Sequence, residues 1–472
     1  MNQSKHPKAL PICFLTEMWE RFGYMLISMT LVFILIQRFS LDDTRANIII
    51  GSFTAVLYIT SVLAGQIADK LIGYYRSVLL GGIVLVIGYS YLAVVTDLFH
   101  FCIALGIVCS GTGLLKTNVG SYLGQNYEFE DTNRQGGFTI FYVGINVGAL
   151  LGNIVSGYLY ESFGGVGIFT ASAIMLTLGT LTFFYGFKIF NLKKYKNDVK
   201  IYHYILAIII TIIGAAVGVL VIYNPSVSSM FFLLVVILSI VVCFRGAKSK
   251  DDFNKALSFF IFLVIATSFW ALYNQIFMSL NLFIDRVVNH KIFGLFDIPT
   301  QAFITFNNIT LLISGTLLGI LWKKINFLDI YKYLLGMFIL IFMFCFVSVG
   351  IFASGDNTTN LVSSTWIILC YTSLGISELF VSAIGLSLAT KLAPKGQSGA
   401  YMGLWLVNIG IGGYLAGIIA NFAAIPKGVT NIITLKHIYL NSFNIYISIA
   451  IFSFLFSIVA TFFIKKLLKE HA

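Results

Sequence analysis

Glu17, Glu20, Arg21 and Tyr24 stand in one short run, Glu17-Met-Trp-Glu-Arg-Phe-Gly-Tyr24, within an apolar stretch from about Leu10 to Ile36. At 3.6 residues per turn these four side chains share one helix face. Each ionisable group costs about 2.5–3.5 kcal/mol at mid-membrane on insertion scales, so such residues face a protein interior or a water-filled cavity. A Glu17–Arg21 pair at i, i+4 contributes only about 0.2–0.5 kcal/mol on an exposed helix, too little to account for three charges in lipid. Two carboxylates beside a fixed cation suit proton exchange and recognition of an anionic group.

Two further ionisable residues fall inside candidate spans: Lys116 in the span 99–124 and Glu378 in the span 362–391. A cationic pair, Arg21 and Lys116, in the first half and a lone carboxylate, Glu378, in the second complement a ligand with a carboxylate at one end and an ammonium at the other. All six His (6, 100, 203, 290, 437, 471) sit at span ends or in loops, so a proton relay must use carboxylates. The six Cys (13, 102, 109, 243, 345, 370) lie in apolar spans without metal-ligand spacing and read as small buried residues. No metal and no cofactor are expected, with protons as the coupling ion. A membrane-embedded hydrolase lacks its chemistry, having neither HExxH nor a His inside a span.

The elements that position these groups are spans. Of 472 residues 58% are hydrophobic and 10% charged, with mean hydropathy +0.92, well beyond soluble composition. The net charge of +11 is topology rather than nucleic-acid affinity. Most Lys and Arg lie in one set of loops and termini, which places both termini in the cytoplasm. The start, Met1 to Lys8, does not read as a cleaved signal peptide. Apolar runs give fourteen candidate helices, near 10–37, 47–69, 75–96, 99–124, 136–161, 166–190, 202–223, 228–245, 256–288, 299–322, 329–353, 362–391, 397–423 and 438–467. Basic linkers around 188–200 and 245–255 divide them six, two, six. The expected domains are a six-helix bundle over 1–190, a linker with two inserted helices over 191–254, and a second bundle over 255–472. Two such halves suggest a pseudo-two-fold transporter.

The run Glu17-x-x-Glu-Arg-Phe-x-Tyr24 resembles the ExxERFxYY motif of the proton-dependent oligopeptide transporters, a branch of the major facilitator superfamily. The likeness extends along most of the chain. Gly65-Gln-Ile-Ala-Asp69, with Gly73 and Arg76, is similar to the superfamily motif between the second and third spans. Gly111 to Asn118, Phe138 to Ala149, Phe269 to Gln275, Gly375 to Pro394 and Tyr401 to Trp405 resemble further family signatures in the family's order. The two inserted helices resemble bacterial members.

The resemblance implies a major facilitator fold and a proton-coupled symporter in the bacterial inner membrane that imports di- and tripeptides by alternating access. It implies proton-coupling roles for Glu17, Glu20, Arg21, Lys116 and Glu378. Arg21 and Lys116 would meet the substrate carboxylate, and Glu378 the amino terminus. Tyr24, Met25, Tyr58, Asn146, Trp270, Asn274, Asn307, Ser382 and Trp405 complete the implied substrate site. Departures from the pattern bear on substrate range and gating. Met25 replaces the motif's second Tyr, Asn274 replaces a frequent acid, and Ser61, Thr117, Asn308 and Ala383 stand at proline positions. Gly51 stands where animal relatives carry a proton-linked His. An extracellular gate is expected between Arg45 or Arg38 and Asp285. The partners are small peptides and the bilayer, and a monomer is expected. Another zwitterion or anion as cargo is the alternative, or a passive channel or nutrient receptor.

Overall fold

The structure, a computed structural model, describes residues 6–128, 131, 133–196, 198–324, 329–358, 360–394 and 397–468. Met1–Lys5 and His471 lie outside them. Eleven helical stretches among the described residues are long and apolar enough to cross a membrane. Two of these, of 52 and 56 residues, exceed twice the length of about 20 that one crossing needs. The chain divides into two compact units, Met1–Phe39 with Val56–Ser228, and Ser40–Ala55 with Ser229–Ala472.

The first unit holds α1 (Ala9–Phe39), the part of α2 (Asp43–Ile67) from Val56 onward, α3 (Gly73–Val94), α4 (Leu98–Gln125), α5 (Arg134–Ile189) and α6 (Ile201–Tyr223). A π-helical turn, Ala68–Ile72, and Gly73 at φ 77° redirect the chain from α2 into α3. Gly164, at φ 61° and ψ −160°, breaks α5 into two limbs. α1 packs along α5, and small residues set the spacing. A Cβ on Gly148 would lie 2.2 Å from the carbonyl oxygen of Met18 and 3.1 Å from Cβ of Arg21. That close approach fixes the backbone of the charged face of α1. Gly148→Ala should therefore cost at least the roughly 1–3 kcal/mol typical of overpacking, read as a lower unfolding temperature in detergent. An unchanged transition would contradict the tight α1–α5 seam.

The superfamily-like charges fasten the linker. Arg76 donates to the carbonyl of Lys196 at 2.7 Å, the Lys196 ammonium donates to the carbonyl of Asp69 at 2.8 Å, and Tyr122 donates to the carbonyl of Lys193 at 3.1 Å. The inserted α6 docks here too. A Cβ on Gly106 of α4 would lie 2.6 Å from the carbonyl oxygen of Ala215.

The second unit contains α7 (Pro225–Phe244), α8 (Lys250–Tyr273), α9 (Ser279–Val287), α10 (Thr305–Lys324), α11 (Asp329–Ser354), α12 (Ser364–Lys391), α13 (Ser398–Ala420) and α14 (Ile432–Leu468). The other inserted helix, α7, packs within this unit: Ser229 bonds Tyr414 at 3.0 Å and Tyr401 donates to the carbonyl of Cys243 at 2.9 Å. The two inserted helices therefore belong to different units. The run expected as one helix over 256–288 is interrupted by a 3-10 turn, Asn274–Phe277, which separates α8 from α9. Gln275 stabilises the break: its amide donates to the carbonyls of Ala271 and Ala416 at 3.0 and 3.1 Å, and its oxygen accepts from Ser279 at 2.6 Å. One small departure from an all-α chain is a two-stranded hairpin, β1 (Lys291–Ile292) and β2 (Phe296–Asp297).

Candidate functional site

In the first unit α1 turns Glu17, Glu20 and Arg21 inward, with relative exposures of 1%, 1% and 7%. The Arg21 guanidinium lies 3.7 Å from Glu17 and 3.8 Å from Glu20, charge-paired with both. Glu17 Oε2, both Glu20 oxygens and Arg21 Nε have no hydrogen-bond partner, although all are buried. Arg21 lies over the ring of Tyr24 at 5.2 Å, and Lys116 of α4 lies over that of Tyr58 at 5.1 Å. Lys116 is close enough to interact electrostatically with Glu17, Glu20 and Arg21. The cluster is thus two carboxylates and two cations, held by attraction and with hydrogen-bonding capacity unspent. An unsatisfied buried polar group costs about 1–3 kcal/mol, more if charged, so the cluster is primed to exchange partners with a ligand or proton.

Two other residues proposed from the sequence flank α1 and α5 in this unit. Met25 packs against Gly152. Asn146 donates to the carbonyl of Tyr142 in its own helix at 2.9 Å and is half-buried.

In the second unit Glu378 of α12 accepts from the amide of Asn307 of α10 at 3.3 Å, and from the hydroxyl of Tyr273 at the end of α8. Gly375, one turn before Glu378, leaves the space that Asn307 occupies: a Cβ there would lie 2.9 Å from Asn307 Oδ1. That oxygen is buried without a partner. Tyr273 was not singled out in the sequence, although it lies within the Phe269–Gln275 signature. Asn274 follows the last residue of α8. It is buried, and its amide donates to the carbonyl of Trp270 at 2.7 Å, capping the end of α8. Trp270 and Trp405 are both buried, their rings 6.5 Å apart, and Trp405 stacks on Phe262. Ser382 on α12 is half-buried.

Near the residues expected to gate, Arg45, Arg38 and Asp285, the structure shows an ion pair at the neighbouring positions Arg286 and Asp43. Arg286 makes a two-pronged ion pair with Asp43, at 2.6 and 2.8 Å, and bonds the Tyr439 hydroxyl at 3.2 Å. Asp43 also accepts from the backbone N–H of Ile425 at 2.9 Å. Arg38 donates to the carbonyls of Leu92 and Val95, while Asp285 is exposed and bonds Thr300.

A family model described as the POT family matches residues 75–436 of the chain. The chain is 29% identical over 464 residues to dipeptide and tripeptide permease A of Proteus mirabilis, covering 94% of this chain and 92% of that protein. It is 28% identical over 475 residues to dipeptide and tripeptide permease B of Xenorhabdus bovienii, covering 98% and 96%. Among solved structures, a peptide transporter POT in complex with sulfate superposes with a TM-score of 0.82 at 26% identity, covering 100% of this chain and 97% of that one. Tetrameric PepTSo2 superposes with a TM-score of 0.85 at 24% identity, covering 98% and 99%, a likeness of fold.

Proposed function

Since this chain belongs to the POT family, whose members are transporters and not enzymes, we propose that it is a proton-coupled symporter importing di- and tripeptides by alternating access. The observation that carries this reading is the pair of charged sites in separate units. One offers Arg21, with an unpartnered Nε, and Lys116 nearby; the other offers Glu378 held by Asn307 and Tyr273. Arg21 and Lys116 take the peptide carboxylate, and Glu378 takes its ammonium, with the unpartnered Asn307 oxygen as a second acceptor. Only the termini need fixed partners, so side chains vary freely. Tyr58, Asn146, Trp270, Ser382 and Trp405 are further substrate contacts in this reading, and Met25 and Asn274 narrow or widen the range. A monomer suffices, because both sites lie in one chain. The protein works in the bacterial inner membrane through fourteen spans, with both termini cytoplasmic.

Coupling follows from the first cluster. In the empty carrier Arg21 and Lys116 offset the charge of Glu17 and Glu20. A substrate carboxylate arriving at Arg21 and Lys116 draws those cations away, so the carboxylates take protons more readily. Peptide and proton then favour each other's binding, as linkage requires.

A second reading keeps the fold and changes the cargo to another zwitterion. A solved POT family transporter is described in complex with 5-aminolevulinic acid, a ligand with the same two charged ends. Competition of labelled dipeptide uptake by dipeptides, free amino acids, 5-aminolevulinic acid and nitrate separates the two. Peptides outcompeting the rest supports the first reading, and a free amino acid or 5-aminolevulinic acid outcompeting them supports the second.

We place the gate at Asp43–Arg286. The clasp holds the start of α2 in the second unit, whereas residues of α2 from Val56 onward belong to the first. Removing one partner of a buried pair costs about 3–5 kcal/mol. Asp43→Ala should therefore lower the unfolding temperature and speed substrate exchange, and reversing both charges (Asp43→Arg with Arg286→Asp) should restore part of each. Losses in the two single variants that simply add would contradict a working pair.

A further inference from the structure

The α9–α10 connection carries a small apolar hairpin that no transport residue explains. Its strands pair Lys291 with Asp297 and Ile292 with Phe296, and the turn is closed by the Leu295 N–H on the Ile292 carbonyl at 3.0 Å. The two central residues, Phe293 and Gly294, lie at φ 49° and 74°. Turns of this kind favour Asn and Gly, and a bulky residue at positive φ is an outlier. A phenyl ring is therefore kept at the tip against local preference. Phe293, Leu295 and Phe296, within four consecutive residues at the tip, are 75%, 78% and 66% exposed.

The base is fixed. Val288 bridges to Val362, with Asn289 donating to the Val362 carbonyl at 2.8 Å and Val362 to that of Val287 at 2.9 Å. Ser364 donates to the Lys291 carbonyl at 2.9 Å. These anchors set the height of the finger. The apolar stretch through α8 and α9 ends at Val287, and α12 begins at Ser364, so the base sits where two spans leave the bilayer. Phe and Leu are at home in that boundary layer.

We propose that the hairpin inserts Phe293, Leu295 and Phe296 into the lipid–water boundary of the bilayer that the chain crosses. The occupant is lipid rather than a second copy. Three side chains on a two-stranded tip offer far less than the roughly 1,000 Å² that a stable protein interface buries, whereas the membrane boundary already reaches this level.

The test uses the full chain in nanodiscs, with native cysteines replaced and an environment-sensitive fluorophore on Phe293→Cys or, as an independent position, Leu295→Cys. A label on Asp356→Cys, in the α11–α12 loop whose far end meets the hairpin base, serves as the water reference. The proposal expects blue-shifted emission at both tip positions and loss of most of their intensity to lipids bearing a quencher near the headgroup, with little change at the reference. Water-like emission with no lipid quenching overturns it. So does a blue shift that appears only when two copies share a disc.

Discussion

Glu378→Gln weakens uptake of ordinary dipeptides severely while hardly changing recognition of analogues that lack the amino group. The carboxylate is the ionisable group of its site, served by Asn307 and Tyr273, and it matches a ligand ammonium. Removing one member of a buried, hydrogen-bonded charge pair costs about 2–5 kcal/mol, much of it from the partner left unpaired. That corresponds to a loss of roughly 30-fold to several-thousand-fold in affinity. The des-amino analogue brings no ammonium and so loses nothing. Competition of labelled peptide uptake by the two ligand classes reads the difference. Equal losses for both would remove Glu378 from the ammonium site.

Glu20→Gln abolishes proton-driven accumulation but retains counterflow exchange. Glu20 is buried, lies 3.8 Å from the Arg21 guanidinium, and has neither oxygen hydrogen-bonded. It is the carboxylate most exposed to a change of partner when substrate claims Arg21 and Lys116. The amide cannot carry the proton, so net symport stops. Exchange of labelled for unlabelled peptide needs no net proton movement and continues. Asn274 cannot substitute, since it neither titrates nor is free of the end of α8. Accumulation against a gradient by Glu20→Gln would place the coupling proton elsewhere.

The spans and the charged motif were legible because each depends on local pattern. Long apolar runs announce the helices, and Glu17, Glu20 and Arg21 at helical spacing announce a shared face. The structure places all three inside, at the residues the spacing selected. What the sequence concealed depends on non-local geometry. The break at Asn274–Phe277 has no proline or glycine to mark it; buried amides hold it, and one partner, the Ala416 carbonyl on α13, is distant in the chain. The ion pair of Arg286 with Asp43 joins residues far apart in the chain, and spacing alone does not reveal it. Tyr273 reads as one aromatic among several until Glu378 is seen beside it. The division of the inserted pair is equally hidden, since α6 and α7 are alike in composition and differ in the surfaces they meet.

The measurement that bears most directly on the account is uptake of a labelled dipeptide into proteoliposomes containing this chain alone, with and without an imposed inward proton gradient. The account expects accumulation above the external concentration when the gradient is present and simple equilibration when it is collapsed. Equal uptake under both conditions would make the protein a passive channel, and no uptake under either would contradict peptide transport altogether.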